Sequence, residues 1–149
     1  MCYMIIYSNQ LRSVRGLIYI CNNSNVNSIK RLATNFLCLC KDLHKHKIAH
    51  GDLQHGNIMI DRDGKIFLID YDSMYTPSMG VQNDIISGLP DYQHPKRKNN
   101  KISSEKLDYF SELIIYISLL AIAEDITFIN RYRIEDTESL LFNVDDFQD

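Results

Sequence analysis

The chain has 149 residues, and its 16 Lys or Arg against 19 Asp or Glu give a net charge of −3. This near-balance argues against a nucleic-acid-binding protein, which usually carries a basic excess. Apolar residues at 45% and charged residues at 23% are typical of a globular domain. The longest apolar stretch, Leu113–Ala123, is about half a bilayer crossing, and Met1–Gln10 lacks the basic segment of a secretory signal. We therefore expect one soluble cytoplasmic domain with no nucleic-acid or membrane partner.

The first half of the chain predicts one strand and two helices. Tyr3–Ile20 is apolar without clear periodicity, which fits a strand followed by a short helix. Asn22–Ser28 is polar and predicts a connector. From Ile29 to Leu43 apolar residues recur at steps of three and four, which predicts an amphipathic helix capped by Asn27 or Ser28.

A β-hairpin is predicted next, because the apolar runs Ile58–Ile60 and Ile66–Ile69 flank Asp61–Gly64 and an Asp-Gly pair suits a tight turn. Tyr71–Asn100 contains all three prolines and predicts a long irregular segment, and such segments are usually functional. Within it, we expect the basic run Lys96-Arg97-Lys98, with Lys101, to be a solvated loop rather than a site for an acidic partner.

The second half predicts one further helix from about Ser103 to Asp125, which is apolar on nearly all sides and is therefore expected to be central and buried. Arg131–Asp149 is acidic and shows no obvious closing element. The cysteines are expected to be buried or half-buried free thiols, because their spacing suits neither a zinc site nor a redox pair. They are Cys2, Cys21, Cys38 and Cys40.

The residues with specific chemistry are in His50-Gly51-Asp52-Leu53-Gln54-His55-Gly56-Asn57, which the hairpin and then Asp70 follow. Phosphoryl transfer needs a carboxylate near the attacking hydroxyl and hard oxygen ligands for Mg²⁺ on the nucleotide phosphates. A short loop that enters a hairpin places Asp52 and Asn57 side by side, and the return strand carries Asp70 to the same mouth.

This pattern resembles the catalytic half of the protein-kinase superfamily, whose catalytic loop reads H-R-D-L-x-x-x-N and whose next strand ends in D-F-G. Downstream, Tyr92–Pro95 resembles the A-P-E end of the activation segment, and Leu107–Ser111 resembles the D-x-W-S start of the family's buried helix. The resemblance covers about Ser28 to Asp125. The positions that match the catalytic loop and the metal motif are His50, Asp52, Leu53, Asn57 and Asp70.

The resemblance implies a role for each matched residue, with ATP and Mg²⁺ as cofactors. Asp52 would accept or orient the proton of the substrate hydroxyl, with Asn57 beside it in the catalytic set. Asn57 and Asp70 would hold Mg²⁺ against the phosphates. Met59 and Ile69 would form an apolar floor for the adenine, although plain core packing is an equally good interpretation. In the family the equivalent of His50 is structural and braces the metal segment, and the Asp that matches Asp108 braces the catalytic-loop backbone.

Several positions depart from the family pattern. Gly51 replaces the Arg that commonly binds a phosphate on the activation loop, so we do not expect control by such phosphorylation. Gln54 replaces a Lys, and Tyr71-Asp72 replaces the Phe-Gly of D-F-G. The Gly51 and Gly56 matches favour aminoglycoside- and choline-type small-molecule kinases, whereas Tyr92–Pro95 and Asp108–Ser111 favour protein kinases. We favour bacterial kinase-like proteins with H-G-D-L-Q-H-G-N, L-I-D-Y-D and Y-Q-H-P-K-R series.

The 149 residues contain no G-x-G-x-x-G loop, and about fifty residues before His50 leave no room for the family's N-terminal lobe. We therefore expect residues 1–149 to be a truncated protein-kinase-like catalytic domain, mainly α with a small β-hairpin, that corresponds to the C-terminal lobe. A partner or neighbouring chain would supply the missing lobe. The phosphoacceptor is a protein or a small molecule, and a non-catalytic pseudokinase, a binding module or a structural remnant remains an alternative.

Overall fold

The computed structural model describes residues 15–80, 82–83, 88–99, 102–134 and 139–147. Helices dominate, and the single small sheet is antiparallel with the strand order β1, β2, β3. This architecture confirms the predicted mainly helical fold with a small hairpin. The strands are β1 (Arg15–Gly16), β2 (Ile58–Ile60) and β3 (Ile66–Leu68), and the helices are α1 (Leu17–Asn23), α2 (Val26–His46), α3 (Tyr109–Glu124) and α4 (Phe128–Arg131).

The predicted hairpin is present as β2 and β3, and its turn is built from local hydrogen bonds. The Asp61 carboxylate accepts the backbone N–H groups two and four residues later, both at 2.9 Å. Gly64 adopts a φ of 81°, which the turn requires and which glycine adopts without strain. The side-chain amide of Asn35 donates to the Gly64 carbonyl at 2.9 Å, so the turn is bonded to α2.

Before α2, the described part of the predicted strand and short helix is β1 followed by α1; residues 1–14 lie outside the described residues. The connector is shorter than the predicted Asn22–Ser28 and consists of Ser24 and Asn25. Asn25 caps α2, because its side chain accepts the N–H of Ser28 at 2.9 Å. The predicted caps were wrong, since Asn27 and Ser28 already lie in the first helical turn.

Helix α3 packs along α2 at the centre of the described structure, and it begins at Tyr109 rather than near Ser103. One stripe of α3 is open to solvent, because Tyr109, Leu113 and Leu120 are 42%, 54% and 40% exposed. The prediction that nearly all sides are buried was therefore wrong for this stripe. The buried apolar residues of α3 are Ile114, Ile115, Leu119, Ile122 and Ala123. None of the helices in the described ranges is both long enough and apolar enough to span a membrane.

The C-terminal residues fold back onto the core, contrary to the expectation of no closing element. Ile134 and Leu140 are fully buried, and a 3-10 turn over Val144–Phe147 follows. The N–H of Val144 donates to the Asp91 carboxylate at 2.7 Å. Short turns of this kind have no periodicity, which explains why the sequence did not predict them.

Three cysteines lie in the described residues as free thiols. Cys21 and Cys40 are buried, as predicted, and burial raises the pKa of Cys21 to about 12. Cys38 is exposed, so the expectation was wrong for this residue. It lies on the solvent side of amphipathic α2. Cys2 lies outside the described residues.

Candidate active site

The loop between α2 and β2, His50–Asn57, is hydrogen-bonded to one buried carboxylate at its base. Asp108, which is 1% exposed, accepts the backbone N–H of His50 and, at 2.9 Å, that of Gly51. Burial raises the pKa of Asp108, and the two backbone hydrogen bonds oppose that rise. Asp108 immediately precedes α3 but does not cap it, since its side chain is turned to the loop instead.

The loop is connected to β3 through His50, which is 1% exposed. Its Nε2 lies 2.8 Å from the Ile69 carbonyl. Because a carbonyl oxygen only accepts, Nε2 carries the proton and donates it. His50 therefore fixes the residue that immediately precedes Asp70, and its placement suits the structural role that the resemblance implies.

Asp52 and Asn57 lie in direct contact at the mouth of the loop. Asn57 Nδ2 donates to the backbone carbonyl of Asp52 at 2.8 Å and to its Oδ2 at 3.2 Å. Because both bonds use the amide nitrogen, the amide oxygen Oδ1 of Asn57 is left available as an acceptor. The structure thus brings together the two residues that were predicted to be catalytic.

Asp70 comes directly after Ile69, whose backbone hydrogen bond joins the end of β3 to the loop. The N–H of Ile69 donates to the Asn57 carbonyl at 3.0 Å, so Asp70 lies one residue beyond the partner of Asn57. Asp70 is exposed and has a φ of 65°. A positive φ is uncommon outside glycine, although Asp tolerates it, and such backbone often occurs at functional sites. The Asp70 backbone therefore lies next to the mouth, and the approach of its carboxylate to Asn57 stays a prediction.

The oxygens at this mouth fit a magnesium–nucleotide complex. Mg²⁺ in nucleotide sites is commonly held by one or two carboxylates together with phosphate oxygens and waters. The Asp70 carboxylate is exposed and the Asn57 amide oxygen is unoccupied, so both could act as ligands. In the described ranges, no three or more His, Cys, Asp or Glu side chains form a metal-binding group. The metal-ligand roles of Asn57 and Asp70 stay a prediction.

The proposed adenine floor lies on the sheet next to the mouth. Ile58 and Ile60 of β2 are buried, whereas Met59 between them is half-buried and points to the opposite face. Ile69 is also half-buried and lies opposite Asn57 in the antiparallel pair. Both predicted residues are therefore placed on elements that lead into the mouth, and their contact with adenine stays a prediction.

The surroundings of Asp52 explain two departures from the family pattern. Gly51 has a φ of 84°, and a side chain at this position would collide with the backbone carbonyl of Ser73. The arginine of the family motif therefore does not fit this backbone. Gln54 donates from Nε2 toward Asp52 Oδ2 at 3.4 Å, so a neutral amide faces the carboxylate where the family has a lysine.

Two residues at the end of the irregular segment were not predicted as part of the site. Arg97 Nη2 donates to the Gly51 carbonyl at 2.8 Å, and its Nη1 donates to the side-chain oxygen of Gln93. Arg97 is half-buried, so the solvated-loop prediction was wrong for it, whereas Lys96 is exposed as expected. A run of three basic residues contains no signal that marks its middle member as buried. Lys101 lies outside the described residues.

The same segment is bonded to α3 and to the loop through Tyr92, which is 1% exposed. The hydroxyl of Ser111 donates to the Tyr92 carbonyl at 2.6 Å, and the Tyr92 hydroxyl shares a hydrogen bond of 2.8 Å with His55 Nδ1. Burial raises the pKa of Tyr92. The motifs around Tyr92 and Ser111, which were matched separately in the sequence, therefore meet in one contact.

A buried acid of α3, Glu112, bonds this helix to α2. Glu112 accepts a hydrogen bond of 2.7 Å from His44 Nε2 on α2. Burial raises the pKa of Glu112, and His44 opposes that rise. This pair links the two long helices close to Asp108, and the sequence offered no indication of it.

A helical lobe whose loop is held by a buried carboxylate of a central helix, with a hairpin that returns an aspartate, has the architecture of a kinase C-terminal lobe. A family model described as "Protein kinase domain" matches residues 9–140. The chain therefore belongs to the protein kinase family, which confirms the resemblance.

Relatives and solved structures agree with this assignment. A probable serine/threonine-protein kinase of fowlpox virus is 40% identical over 48 residues, which is 32% of this chain and 16% of that protein. A mouse cAMP-dependent protein kinase catalytic subunit is 26% identical over 105 residues, 69% of this chain and 29% of that protein. The structure of the Cydia pomonella granulovirus kinase PK-1 matches with a TM-score of 0.56 at 20% identity, over 70% of this chain and 39% of that one, which supports the fold. The chain spans under a third of the two relatives' lengths.

Proposed function

We propose that this chain is the C-terminal-lobe part of an ATP- and Mg²⁺-dependent protein kinase that phosphorylates serine or threonine hydroxyls. The observation that carries the proposal is the contact of Asn57 with Asp52 together with the Ile69–Asn57 backbone bond, which supports a common mouth for Asp52, Asn57 and Asp70. The names of the fowlpox and mouse relatives support a protein as the phosphoacceptor.

Each side chain has one task in this proposal. The Asp52 carboxylate accepts the proton of the attacking hydroxyl and orients it toward the γ-phosphoryl group. Asn57 Oδ1 and the Asp70 carboxylate would hold Mg²⁺, which would neutralise charge on the phosphates. Met59 and Ile69 pack against the adenine. His50 and Asp108 keep the loop in place and do not contact substrate.

Covering the nucleotide requires residues beyond these, because positioning provides most of the catalysis in phosphoryl transfer. The 149 residues contain no G-x-G-x-x-G loop. We therefore propose that residues 1–149 form one lobe of the catalytic unit and that the lobe that covers the phosphates lies outside these 149 residues.

Calorimetric titration of the purified chain with Mg²⁺-ATP tests the proposal. We expect binding to the wild type and a loss of at least about tenfold in affinity for Asp70→Asn, because one charged ligand is removed. Asp72→Asn is the matched control: it removes an exposed carboxylate two residues farther on and should leave the affinity unchanged.

Three results would redirect the proposal. Absence of Mg²⁺-ATP binding by the wild type would contradict the roles proposed for Asn57 and Asp70 and would favour a non-catalytic binding module. Equal loss of affinity in Asp70→Asn and Asp72→Asn would indicate general electrostatics instead of a ligand. Phosphorylation of a sugar or an aminoglycoside, but of no protein, would place the chain with the small-molecule kinases. The match at Gly51 favours that class.

A further inference from the structure

Two buried polar atoms near the proposed base have no hydrogen-bond partner among the described residues. They are Asp52 Oδ1, an acceptor, and Gln93 Nε2, a donor. A buried polar atom without a partner costs about 1–3 kcal/mol. Because one of these atoms is a donor and the other an acceptor, they are suited to bond with each other, but the structure does not contain that hydrogen bond.

Gly88 shows how close these atoms are. A Cβ built on Gly88 would lie 2.5 Å from Asp52 Oδ1 and also 2.5 Å from Gln93 Nε2. Since both atoms lie that far from one point, they can be no more than 5.0 Å apart. Gly88 has a φ of 60° and no side chain, so the irregular segment can approach the Asp52 carboxylate closely.

Arg97 determines which end of the Gln93 amide faces Asp52. A guanidinium group only donates, and its Nη1 donates to the Gln93 oxygen. The Gln93 nitrogen must therefore point the other way, to the side on which Asp52 lies. Arg97 also donates to the carbonyl of Gly51, the residue before Asp52. Arg97 thus bonds to the loop backbone with one nitrogen and orients the Gln93 amide with the other.

We propose that Gln93 is a positioning residue for Asp52: its side-chain amide, oriented by Arg97, donates a hydrogen bond to Oδ1 and fixes the rotation of the carboxylate. A shift of at most about 2 Å brings the two atoms to hydrogen-bonding distance. Together with Asn57 and Gln54 on Oδ2, three neutral amides then orient the carboxylate. The catalytic consequence of this inference rests on the proposed function, whereas the bond itself does not.

The bond can be measured in the full chain without any activity. In ¹⁵N-labelled protein, hydrogen exchange of the Gln93 side-chain amide should be about tenfold slower than that of Gln82, because a hydrogen bond to a charged group is worth at least about 1.5 kcal/mol. Gln82 is an exposed glutamine of the same segment. Asp52→Ala should remove most of this protection, and Arg97→Lys should reduce it, since lysine cannot donate as a fork.

The backbone spectrum shows whether Asp52→Ala remains folded, and Asp52→Asn, which keeps the shape but loses the charge, should shift the Gln93 resonances as well. Exchange as fast as that of Gln82, or protection that survives in both Asp52 variants, would overturn the proposal.

The kinetic arm compares Gln93→Met with the control Gln82→Met in a phosphotransfer assay. We expect kcat to fall about tenfold to a hundredfold in Gln93→Met, because small misplacements of a catalytic group have effects of this size. The KM for Mg²⁺-ATP should not change. A higher KM with an unchanged kcat would contradict the positioning role. If neither the wild type nor any variant transfers phosphate, the kinetic result concerns the proposed function and not the bond, and the exchange experiment decides whether the Gln93–Asp52 bond exists.

Discussion

Two aspartates in opposite surroundings flank the His50–Asn57 loop: Asp108 lies at its base and Asp70 at its mouth. At the base, Asp108 is 1% exposed and accepts two backbone N–H groups of the loop. At the mouth, Asp70 is exposed, adopts a positive φ, and has a carboxylate that the described hydrogen bonds do not use. The comparison separates a residue that holds the loop from one that is exposed and that we propose to bind a metal ion.

This difference predicts how each region responds to substitution. Changes at the base should lower the free energy of unfolding, because they leave buried donors without partners. Changes at the mouth should leave stability nearly intact and remove binding. The following predictions test this division, beginning with the largest expected effect on stability.

Asp108→Ala should have the largest effect, because two buried backbone donors lose their acceptor. We expect the free energy of unfolding to fall by about 3 kcal/mol, measured by urea denaturation. Asp42→Ala is the control, since Asp42 is exposed on α2 and is not expected to matter. Equal stability of the two variants would show that Asp108 does not hold the loop.

Gly51→Ala tests how tightly the loop packs on the backbone of Ser73. The backbone at Gly51 disfavours a side chain, and the new methyl group would collide with the Ser73 carbonyl. We expect a loss of more than about 2 kcal/mol.

Its matched control is Gly64→Ala, which has a similar φ of 81° but no described atom closer than 3.6 Å to the added carbon. This variant should lose only about 1 kcal/mol, the cost of the backbone conformation. If both glycine variants lose the same stability, the collision with Ser73 is not real.

Glu112→Gln should change how stability depends on pH. Burial raises the folded-state pKa of Glu112 above its usual value of 4.5, with His44 and Asp108 as its charged neighbours. The folded state therefore binds this proton more tightly than the unfolded state, and the contribution of Glu112 to stability decreases as the pH rises above about 4.5. Glu112→Gln should remove that part of the pH dependence.

Urea denaturation at several pH values measures the change, with Glu124→Gln as the control because the Glu124 side chain is 76% exposed. The Glu124 variant should follow the wild-type curve. A Glu112→Gln curve parallel to that of the wild type would contradict the assigned shift.

Asp70→Asn should have the smallest effect on stability. Asparagine tolerates a positive φ about as well as aspartate does, and the side chain is exposed. We expect the free energy of unfolding to stay within about 0.5 kcal/mol of the wild type. A loss comparable to that of Asp108→Ala would abolish the distinction between base and mouth.

The features that were predicted from sequence depend on local patterns. The hairpin follows from Asp61–Gly64 and its flanking apolar runs, and the contact of Asp52 with Asn57 follows from a spacing of five residues within one loop. In both cases the partners are neighbours in sequence, so backbone geometry determines their meeting.

The features that were missed depend on distant partners. Arg97 bonds to Gly51 across 46 residues, and His44 bonds to Glu112 across 68 residues. No pattern along the chain distinguishes these side chains from solvated ones, because their roles arise only when the irregular segment and α3 pack against the loop.

The most direct test of the account is to locate the metal on the chain with Mn²⁺-ATP, in which the paramagnetic ion takes the place of Mg²⁺ and broadens nearby NMR resonances. The account predicts that substoichiometric Mn²⁺-ATP broadens first the backbone resonances of Asn57, Ile69 and Asp70, and that Asp70→Asn abolishes this effect. Broadening centred on the acidic turns at Asp61–Asp63 or Asp145–Asp146, with the loop mouth unaffected, would contradict it.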